Sequence, residues 1–371
     1  MTIAEYEITR SKSPIASLDI KGYRAFKDLS LSGLSRVNLI TGKNNVGKSS
    51  LLEAIHLYAR RGSPEAMWQL LTSRETELSR ATPQSLPAIY DAIIRMFNGA
   101  SPFTDWASDH ELSLMASVAG SPVGQRAGTT LSIDLVRPQP ATDIPVGMHT
   151  ILKDRSGGYL GYELTYALRR IVESDRYIWV KDGALPSVFV GARGLIRVSL
   201  GELWDSIALS PRKDDVIRGL WIINTEIEDL ALFGESASEL GRVPNVRVKG
   251  EFARRSLSEF GDGLNRLFDI LVAIVNASEG FLLVDEIENG LHYSVLPSVW
   301  KLVFELAQRL NVQVFATTHS WECIEAFQSA ATESPSDGAL IRLQNKNGDI
   351  AATVFDEEDL QVITRDQIEV R

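Results

Sequence analysis

Hydrophobic positions in the last third of the chain follow two alternating patterns. Apolar residues recur three and four positions apart from Gly263 onward, and again from about Ser294, which predicts two helices. Two short apolar runs, FLLVDE from Phe281 and NVQVFATTHS from Asn311, each end in polar residues. Such runs are typical of parallel strands buried on both faces. Alternating strands and helices indicate an α/β fold with a site at the carboxyl ends of its strands.

The N-terminal part predicts a strand, a glycine-rich turn and a helix. Residues Ala16 to Ile20 and Val37 to Ile40 have strand patterns, with the GYRAF and DLSLSGL stretches between them. After the turn, apolar residues recur at helical spacing, at Leu51, Leu52, Ile55 and Tyr58.

The middle of the chain gives weaker signals. Residues Asn98 to Gly128 are rich in small residues and predict a loop or hairpin region. From Gly201 the pattern predicts a helix, a break at Pro211 and a second helix reaching Phe233. Four further strands are predicted, at Thr130 to Val136, Tyr162 to Leu168, Arg176 to Val180 and Ser187 to Val190.

Composition narrows the class of protein. The chain has 371 residues, 44% of them hydrophobic, and 38 basic against 48 acidic residues give a net charge of −10. An acidic total argues against indiscriminate nucleic-acid binding, although a local basic groove is compatible with it. The single cysteine, Cys323, fits a reducing compartment. Without a signal-peptide pattern or a membrane-length apolar run, we expect a cytoplasmic protein with no membrane partner.

Residues 42–49 spell GKNNVGKS, a complete P-loop pattern. Gly42 and Gly47 allow positive φ and close approach to a phosphate, and the next helix directs its positive end toward the anion. Lys48 is expected to reach the β- and γ-phosphates, and Ser49 to bind Mg²⁺. The alternative is a glycine-rich turn with solvated lysines. The predicted phosphate contacts are Gly42, Lys43, Asn44, Asn45, Val46, Gly47, Lys48, Ser49 and Ser50.

Hydrolysis needs a carboxylate for the metal and a group that positions water. Asp285 and Glu286, at the end of FLLV, fit these roles, with Asp285 holding Mg²⁺ through water and Glu286 as general base. His319 ends the next strand, and its neutral imidazole could donate to the γ-phosphate or hold the water. The alternatives are a turn or N-cap acid pair and a structural histidine.

The order of these motifs points to an inserted region and a second phosphate-binding turn. Residues 42–49 and the acid pair at 285–286 are separated by most of the chain. Shortly before the acid pair, LSEFGDGLNRL places a glycine-flanked turn at a helix N-terminus, which can bind an anion. Since one nucleotide needs only one P-loop, this turn is best explained by a nucleotide held in another copy of the chain.

Four segments carry a family resemblance: FKDLSLSGLSRVNLITGKNNVGKSSLLEAI, LSEFGDGLNRL, FLLVDEIENGLHYSVLP and VQVFATTHS. They resemble ATP-binding-cassette (ABC) ATPases of the group containing SMC proteins and OLD-family nucleases, and more closely the standalone bacterial AAA-family ATPases. The resemblance implies an α/β ABC-type P-loop ATPase head, whose mixed sheet is joined by an antiparallel β lobe and a helical lobe. The implied division is an ATPase core at 1–60 and 251–371 around an inserted region at 61–250.

The resemblance also implies residue roles. It places two ATP molecules in a head-to-tail dimer, with Gly42, Lys48 and Ser49 in the phosphate loop. Asp285 and Glu286 match the second acidic motif, and His319 matches the switch histidine. The signature region falls on Ser258, Gly261, Asp262 and Gly263. This region departs from LSGGQ, so the trans contact comes from Ser258 or from backbone.

Other matches leave two interpretations open. Tyr23, Arg24 and Phe26 match a family segment near the nucleotide base, but they could equally be core aromatics of a hairpin and its arginine. Arg193, in GARG, either faces a phosphate or partner or is a solvated surface residue. Gln139 is a weak candidate for the Q-loop glutamine.

Two functions survive. In the first, the chain is the ATP-dependent switch and scaffold of a defence system, acting as a homodimer with a separate effector such as a Toprim nuclease. The chain stops soon after His319, so we expect no Toprim domain and no nuclease activity in it. In the second, it is an SMC-like repair ATPase that binds DNA. A transporter subunit is disfavoured by the missing LSGGQ. In this second interpretation the residues expected to contact DNA are Arg242, Arg247, Lys249, Arg254 and Arg255.

Overall fold

A computed structural model describes residues 15–74, 89, 92–93, 95–96, 114–122, 129–136, 147–153, 159–163, 185–195, 197–234, 242–334 and 337–366. The chain divides into two compact units, and each is described by itself. The predicted strand at Arg176 to Val180, residues 164–168 of the strand predicted at Tyr162 to Leu168, and the candidate Gln139 lie outside the described residues.

The first unit contains a six-stranded antiparallel sheet in the order β2-β1-β4-β5-β6-β7. The helices of this unit whose bounds the structure describes are α1 (Lys48–Ala59) and α2 (Pro64–Arg74). Eleven of the twelve α1 residues are buried, so α1 is a core helix rather than a surface helix. The strands are β1 (Ile15–Tyr23), β2 (Phe26–Ser32), β4 (Leu114–Pro122), β5 (Thr129–Val136), β6 (Gly147–Lys153) and β7 (Tyr159–Glu163).

The second unit is built on β3, β8, β12, β13 and the start of β14, which belong to a sheet in the order β15-β14-β3-β13-β12-β8. Residues 343–353, in β14 and β15, are assigned to the first unit. Strands β14, β3, β13, β12 and β8 run parallel. Every residue of β3, β12 and β13 is buried, which explains why these strands are continuous apolar runs. The ranges are β3 (Val37–Thr41), β8 (Ser187–Val190), β12 (Phe281–Val284), β13 (Gln313–Thr317), β14 (Gly338–Lys346) and β15 (Asp349–Phe355).

Helices and a small sheet complete the second unit. Trp300 and Phe327 meet edge to face, with ring centroids 4.9 Å apart, in the core formed by these helices. The helices are α3 (Arg197–Asp205), α4 (Arg212–Leu220), α5 (Asp262–Asn276), α6 (Leu296–Arg309), α7 (Trp321–Glu333) and α8 (Glu357–Arg365). The small antiparallel sheet has β10 (Val243–Val248) between β9 (Ile227–Phe233) and β11 (Arg255–Ser256).

Most predicted elements are confirmed, and one helix is wrong. The sequence pattern predicted that the helix after Pro211 extends to Phe233. In the structure α4 ends at Leu220, and residues 227–233 form β9. Pairing with β10 overrides the weak helical pattern, because Ile227, Leu230 and Leu232 turn toward the core while their neighbours remain more exposed. The stretch between the first two predicted strands also forms a strand, β2.

Candidate functional site

Three strands of the second unit end at the same edge of its sheet. β3 runs into Gly42, β12 into Asp285 and β13 into Thr318 and His319. A hydrogen bond joins the ends of β13 and β3, because the Thr318 N–H donates to the Ile40 carbonyl at 3.0 Å. The fold therefore brings the first residue of the P-loop, the acid pair and the histidine to one edge, as the alternating pattern predicted.

One hydroxyl organises the acid pair. The Thr317 hydroxyl donates to Asp285 Oδ1 at 2.6 Å and accepts the Glu286 N–H at 2.8 Å. The Asp285 N–H donates to the Val190 carbonyl at 2.8 Å, so the turn is also tied to β8. The Asp285 carboxylate is thus oriented by a short bond before any ligand binds.

Glu286 occupies an unusual backbone conformation. Its φ is +50°, in the left-handed region that non-glycine residues rarely adopt. Its Oε1 lies 3.5 Å from His319 Nε2, and both side chains are 39% exposed. The backbone of His319 is fixed separately, because its N–H donates to Glu288 Oε1 at 2.8 Å. A carboxylate and an imidazole are therefore held next to each other at a solvent-accessible edge.

Sequence reasoning missed a buried arginine behind this turn. Arg266, on α5, donates from Nη1 to the Gly191 carbonyl at 2.7 Å. Its Nη2 donates to the carbonyls of Asp285 at 2.6 Å and Glu286 at 2.9 Å. Burial lowers the pKa of Arg266, and the acids around it oppose that shift. The available signal was a lone cation within the apolar stretch LNRLFDILVAIV.

Gly42 and Gly47 of the P-loop have the positive φ that was predicted for them, and Asn45 also has one. Gly42, Asn45 and Gly47 have φ values of +143°, +67° and +91°. A Cβ at position 47 would lie 2.9 Å from Cζ of Phe26, so a side chain there would be both strained and crowded. The unit boundary falls after Lys43, and Asn44 and the following loop residues belong with α1 in the first unit.

The first turn of α1 follows this loop directly. Lys48 is buried, as are Val46 and Ser50, whereas Lys43, Asn44 and Asn45 are exposed and Ser49 is half-buried. Gly47 precedes the helix, and no side chain caps it. The loop therefore ends at the positive N-terminal end of α1, and contact of this helix end with a phosphate stays a prediction.

Arg24 and its neighbours form a buried cluster in the first unit. Arg24 Nε donates to Glu53 Oε2 at 2.9 Å, and the Tyr23 hydroxyl donates to the same oxygen at 3.3 Å. The Phe26 side chain is buried, and its ring lies against Gly47. Contact between Arg24 and a nucleotide base remains a prediction.

The signature region is an exposed turn on the second unit. Ser258 lies in the 3₁₀ turn Leu257–Phe260, with its hydroxyl 2.8 Å from that of Ser256. Gly261 has a φ of +93° and is followed by Asp262 at the start of α5, without a side-chain cap. Gly263 has a packing reason to be glycine, since its Cβ would lie 2.9 Å from the Gly290 carbonyl oxygen.

The basic set proposed for DNA is largely paired with acids. Arg242 contacts Asp205 at 2.6 Å, Arg247 contacts Glu228 at 3.4 Å, and Arg255 contacts Glu259 at 3.0 Å. Arg254 instead lies 4.1 Å from the centre of the Phe233 ring. Lys249 follows β10 in an exposed turn, and Arg193 is exposed on the turn after β8.

Sequence comparisons match the two parts of the chain that carry the predicted motifs. A family model described as "AAA domain, putative AbiEii toxin, Type IV TA system" matches residues 231–324, and one described as "AAA ATPase domain" matches residues 14–78. An "ATP/GTP phosphatase" of Helicobacter pylori is 24% identical over 353 residues, which cover 86% of this chain and 89% of that protein. A "DNA replication and repair protein RecF" of Bacillus cytotoxicus is 39% identical over 66 residues, 18% of this chain and 16% of RecF.

The structural comparison defines the fold. The crystal structure of an SMC head bound to the C-winged helix domain of ScpA has a TM-score of 0.54 and 13% identity, covering 94% of this chain and 99% of that one. The chain therefore has an SMC-head-like, ABC-type ATPase fold, and the predicted fold class is confirmed. The AAA-domain matches and the similarity to the Helicobacter pylori ATP/GTP phosphatase support ATP hydrolysis, so the chain is an ATPase. Within the described ranges, no helix is both long and apolar enough to cross a bilayer.

Proposed function

We propose that this ATPase is a nucleotide-dependent switch: two copies close head to tail around two Mg²⁺-ATP molecules, and hydrolysis reopens them. In this proposal the change of state controls a separate effector protein in bacterial genome defence, in the cytoplasm. The observation that carries it is Glu286, held in a left-handed backbone beside His319 at the carboxyl edge of the sheet. Strained non-glycine residues of this kind cluster at active sites and switch regions.

The chain offers oxygen ligands of the kind that a magnesium nucleotide needs. Mg²⁺ bound with phosphates keeps several waters and needs only one or two protein oxygens. In the proposal the Ser49 hydroxyl would bind it directly and the Asp285 carboxylate would hold it through water. When bound, Mg²⁺ neutralises phosphate charge. The backbone of residues 42–47 and the start of α1 would bind the phosphates, and Lys48 would add a positive charge to them.

Glu286 and His319 would act on the water. In hydrolysis the oxygen of water attacks the γ-phosphorus, the bond from that phosphorus to the β,γ-bridging oxygen breaks, and the water gives up a proton. The Glu286 carboxylate would accept this proton, and His319 Nε2, 3.5 Å from Glu286 Oε1, would hold the water or the γ-phosphate. The products are ADP and phosphate.

The shared pocket would be completed by the other copy. The exposed turn containing Ser258 and Gly261, at the N-terminus of α5, would face the γ-phosphate held by its partner. Each nucleotide would then join two chains, so that ATP stabilises the closed dimer by its preference for that state. The AbiEii description of the matched family supports a defence role, and the ScpA-bound SMC head supports a protein partner.

The Glu286→Gln variant tests this proposal. Removing the base should lower kcat for ATP hydrolysis by at least ~100-fold, while the amide keeps the shape of the site and ATP still binds. The variant should accumulate as an ATP-dependent dimer, measured by light scattering with size-exclusion chromatography. Lys48→Ala should instead weaken ATP binding itself, because it removes the positive charge that Lys48 would place against the β- and γ-phosphates.

Glu305→Gln, an exposed glutamate on α6, is the matched control and should hydrolyse ATP normally. Normal turnover by Glu286→Gln would rule out Glu286 as the base. Full turnover by a strictly monomeric wild-type protein would rule out the shared pocket while leaving the phosphate loop intact.

A second candidate function, DNA binding, is favoured by the RecF match over 66 residues and by the exposed cations Lys249 and Arg254. Affinity from phosphate contacts should fall steeply with salt, and the double substitution Lys249→Ala, Arg254→Ala should abolish a gel shift. Arg242→Ala is the control, because Arg242 is already paired with Asp205. No shift by the wild type in low salt with ATP would exclude this candidate.

A further inference from the structure

Arg266 makes an unusual set of contacts for a buried cation. Its guanidinium donates to the backbone carbonyls of Gly191, Asp285 and Glu286, at 2.6–2.9 Å, and its Nε has no hydrogen-bond partner among the described residues. Buried arginines usually pair with carboxylates, because unpaired charge is costly away from water. Here the charge is placed against carbonyl oxygens at the ends of β8 and β12.

Acidic side chains are nearby but serve other groups. Asp269 accepts the Leu195 N–H at 3.0 Å, and Asp285 accepts the Thr317 hydroxyl. Glu288 accepts the His319 N–H, and Glu286 extends toward the His319 ring. These four acids surround Arg266 electrostatically and favour its charged form, although burial has the larger, opposite effect on its pKa. Arg266 thus lies among acids without taking the hydrogen-bonding positions of their carboxylates.

The carbonyl contacts fall on the strained residue. Glu286 has a φ of +50°, a conformation that is unfavourable for a non-glycine residue and persists only where its surroundings impose it. The Thr317 hydroxyl holds the Glu286 N–H, and Arg266 Nη2 holds the Glu286 carbonyl. The backbone on both sides of the Glu286 side chain is therefore fixed, one side by β13 and the other by α5.

We propose that Arg266 is a positioning residue for ATP hydrolysis: by holding the carbonyls of Asp285 and Glu286 it keeps the Glu286 carboxylate beside His319, without touching substrate. The inference rests on the proposed function, in which Glu286 is the base. A displacement of a reacting group by about one ångström can lower the rate ~100-fold.

Arg266→Met, which keeps the aliphatic bulk of the side chain, tests it. We expect kcat to fall ~10- to 100-fold while KM for ATP and ATP binding stay within about twofold, because only the base is displaced. Arg266→Lys should recover part of kcat, because an ammonium can reach one or two of the carbonyls but cannot span all three. Asn276→Ala is the control: Asn276, at the other end of α5, also donates to carbonyls, those of Leu203 and Val272, and its loss should leave kcat unchanged.

A double-mutant cycle separates positioning from a merely structural role. If Arg266 acts through Glu286, Arg266→Met should lower kcat no further in a Glu286→Gln background. Additive losses, a raised KM or weakened ATP binding would overturn the inference and leave the proposed function standing. If Arg266→Met does not fold, the same cycle is run with Arg266→Lys, with the same two outcomes. Normal hydrolysis by Glu286→Gln alone would instead overturn the proposed function.

Discussion

Each compact unit contains an arginine that is mostly shielded from water, half-buried Arg24 and buried Arg266, and the two are neutralised differently. In the first unit Arg24 Nε donates to the carboxylate of Glu53 on α1, and the Tyr23 hydroxyl donates to the same oxygen. In the second unit Arg266 donates to three backbone carbonyls. Burial acts to lower the pKa of both, but Glu53 and Tyr23 reverse the shift for Arg24, whose pKa is raised, whereas the pKa of Arg266 remains lowered.

This difference separates a stabilising contact from a contact that prepares a site. The Arg24–Glu53 pair uses up its carboxylate, so its charges cancel inside the first unit. Arg266 holds backbone, so the acid side chains at the carboxyl edge keep their own functions. In the proposed function this edge binds Mg²⁺, which would require such carboxylates, and a cation behind them lowers the repulsion among them.

The largest expected effect is the loss of stability on replacing Glu53, the partner of Arg24. Glu53→Gln removes the carboxylate to which Arg24 Nε donates, and both side chains are shielded from water, Arg24 being 13% and Glu53 2% exposed. Breaking a buried pair in this way should lower the free energy of unfolding by about 3 kcal/mol. The measurement is urea unfolding at neutral pH.

Asp28→Asn provides the control within the same unit. Asp28 pairs with Lys21 at 3.2 Å, but both side chains are 61% exposed, so its loss should cost less than about 1 kcal/mol. Equal costs for the two substitutions would contradict the contrast between buried and solvated pairs. A Glu53→Gln variant of normal stability but altered ATP affinity would favour the nucleotide-contact interpretation of Arg24.

Thr317→Val tests the corresponding contact in the second unit, at the turn that contains Asp285 and Glu286. The valine keeps the shape of the residue but removes the hydroxyl that bridges Asp285 Oδ1 and the Glu286 N–H. Loss of a bond to a charged group is expected to cost about 1.5 kcal/mol, or ~10-fold in kcat. Steady-state hydrolysis checks this, with Thr364→Val as control, since the Thr364 hydroxyl donates only within α8. An unchanged kcat would leave Arg266 as the principal anchor of the turn.

The sequence predicted the parts of this site that depend on local patterns. The P-loop, FLLVDE and the strand before His319 each carry their signal in consecutive residues, so their strands and the edge they share were predictable. Arg266 was missed because its partners are carbonyls of residues 191, 285 and 286, and carbonyls have no sequence signature. The helix predicted over Ile227 to Phe233 was wrong for a similar reason, since strand pairing with β10 is a tertiary contact.

A pH dependence offers the smallest of the three effects, and it belongs to the first unit. His56 is buried on α1, its Nε2 3.3 Å from Gln69 Oε1. Burial, with the charge of Arg60 as the next cause, lowers the pKa of His56 to about 3, from 6.5. In the described part of the second unit, His292 and His319 are exposed.

The sign follows from proton binding. Because the unfolded chain takes up the His56 proton near pH 6.5 and the folded chain only near pH 3, the stability due to neutral His56 is complete above pH 6.5 and is lost as the pH falls toward 3. At about pH 5.5 the loss should be ~1 kcal/mol. In urea unfolding at about pH 7.5 and 5.5, His56→Gln should lack this part of the acid loss, whereas His292→Gln should retain it. Equal acid losses in wild type and His56→Gln would show that His56 gains access to water in the folded state, and the burial contrast between the two units would fail there.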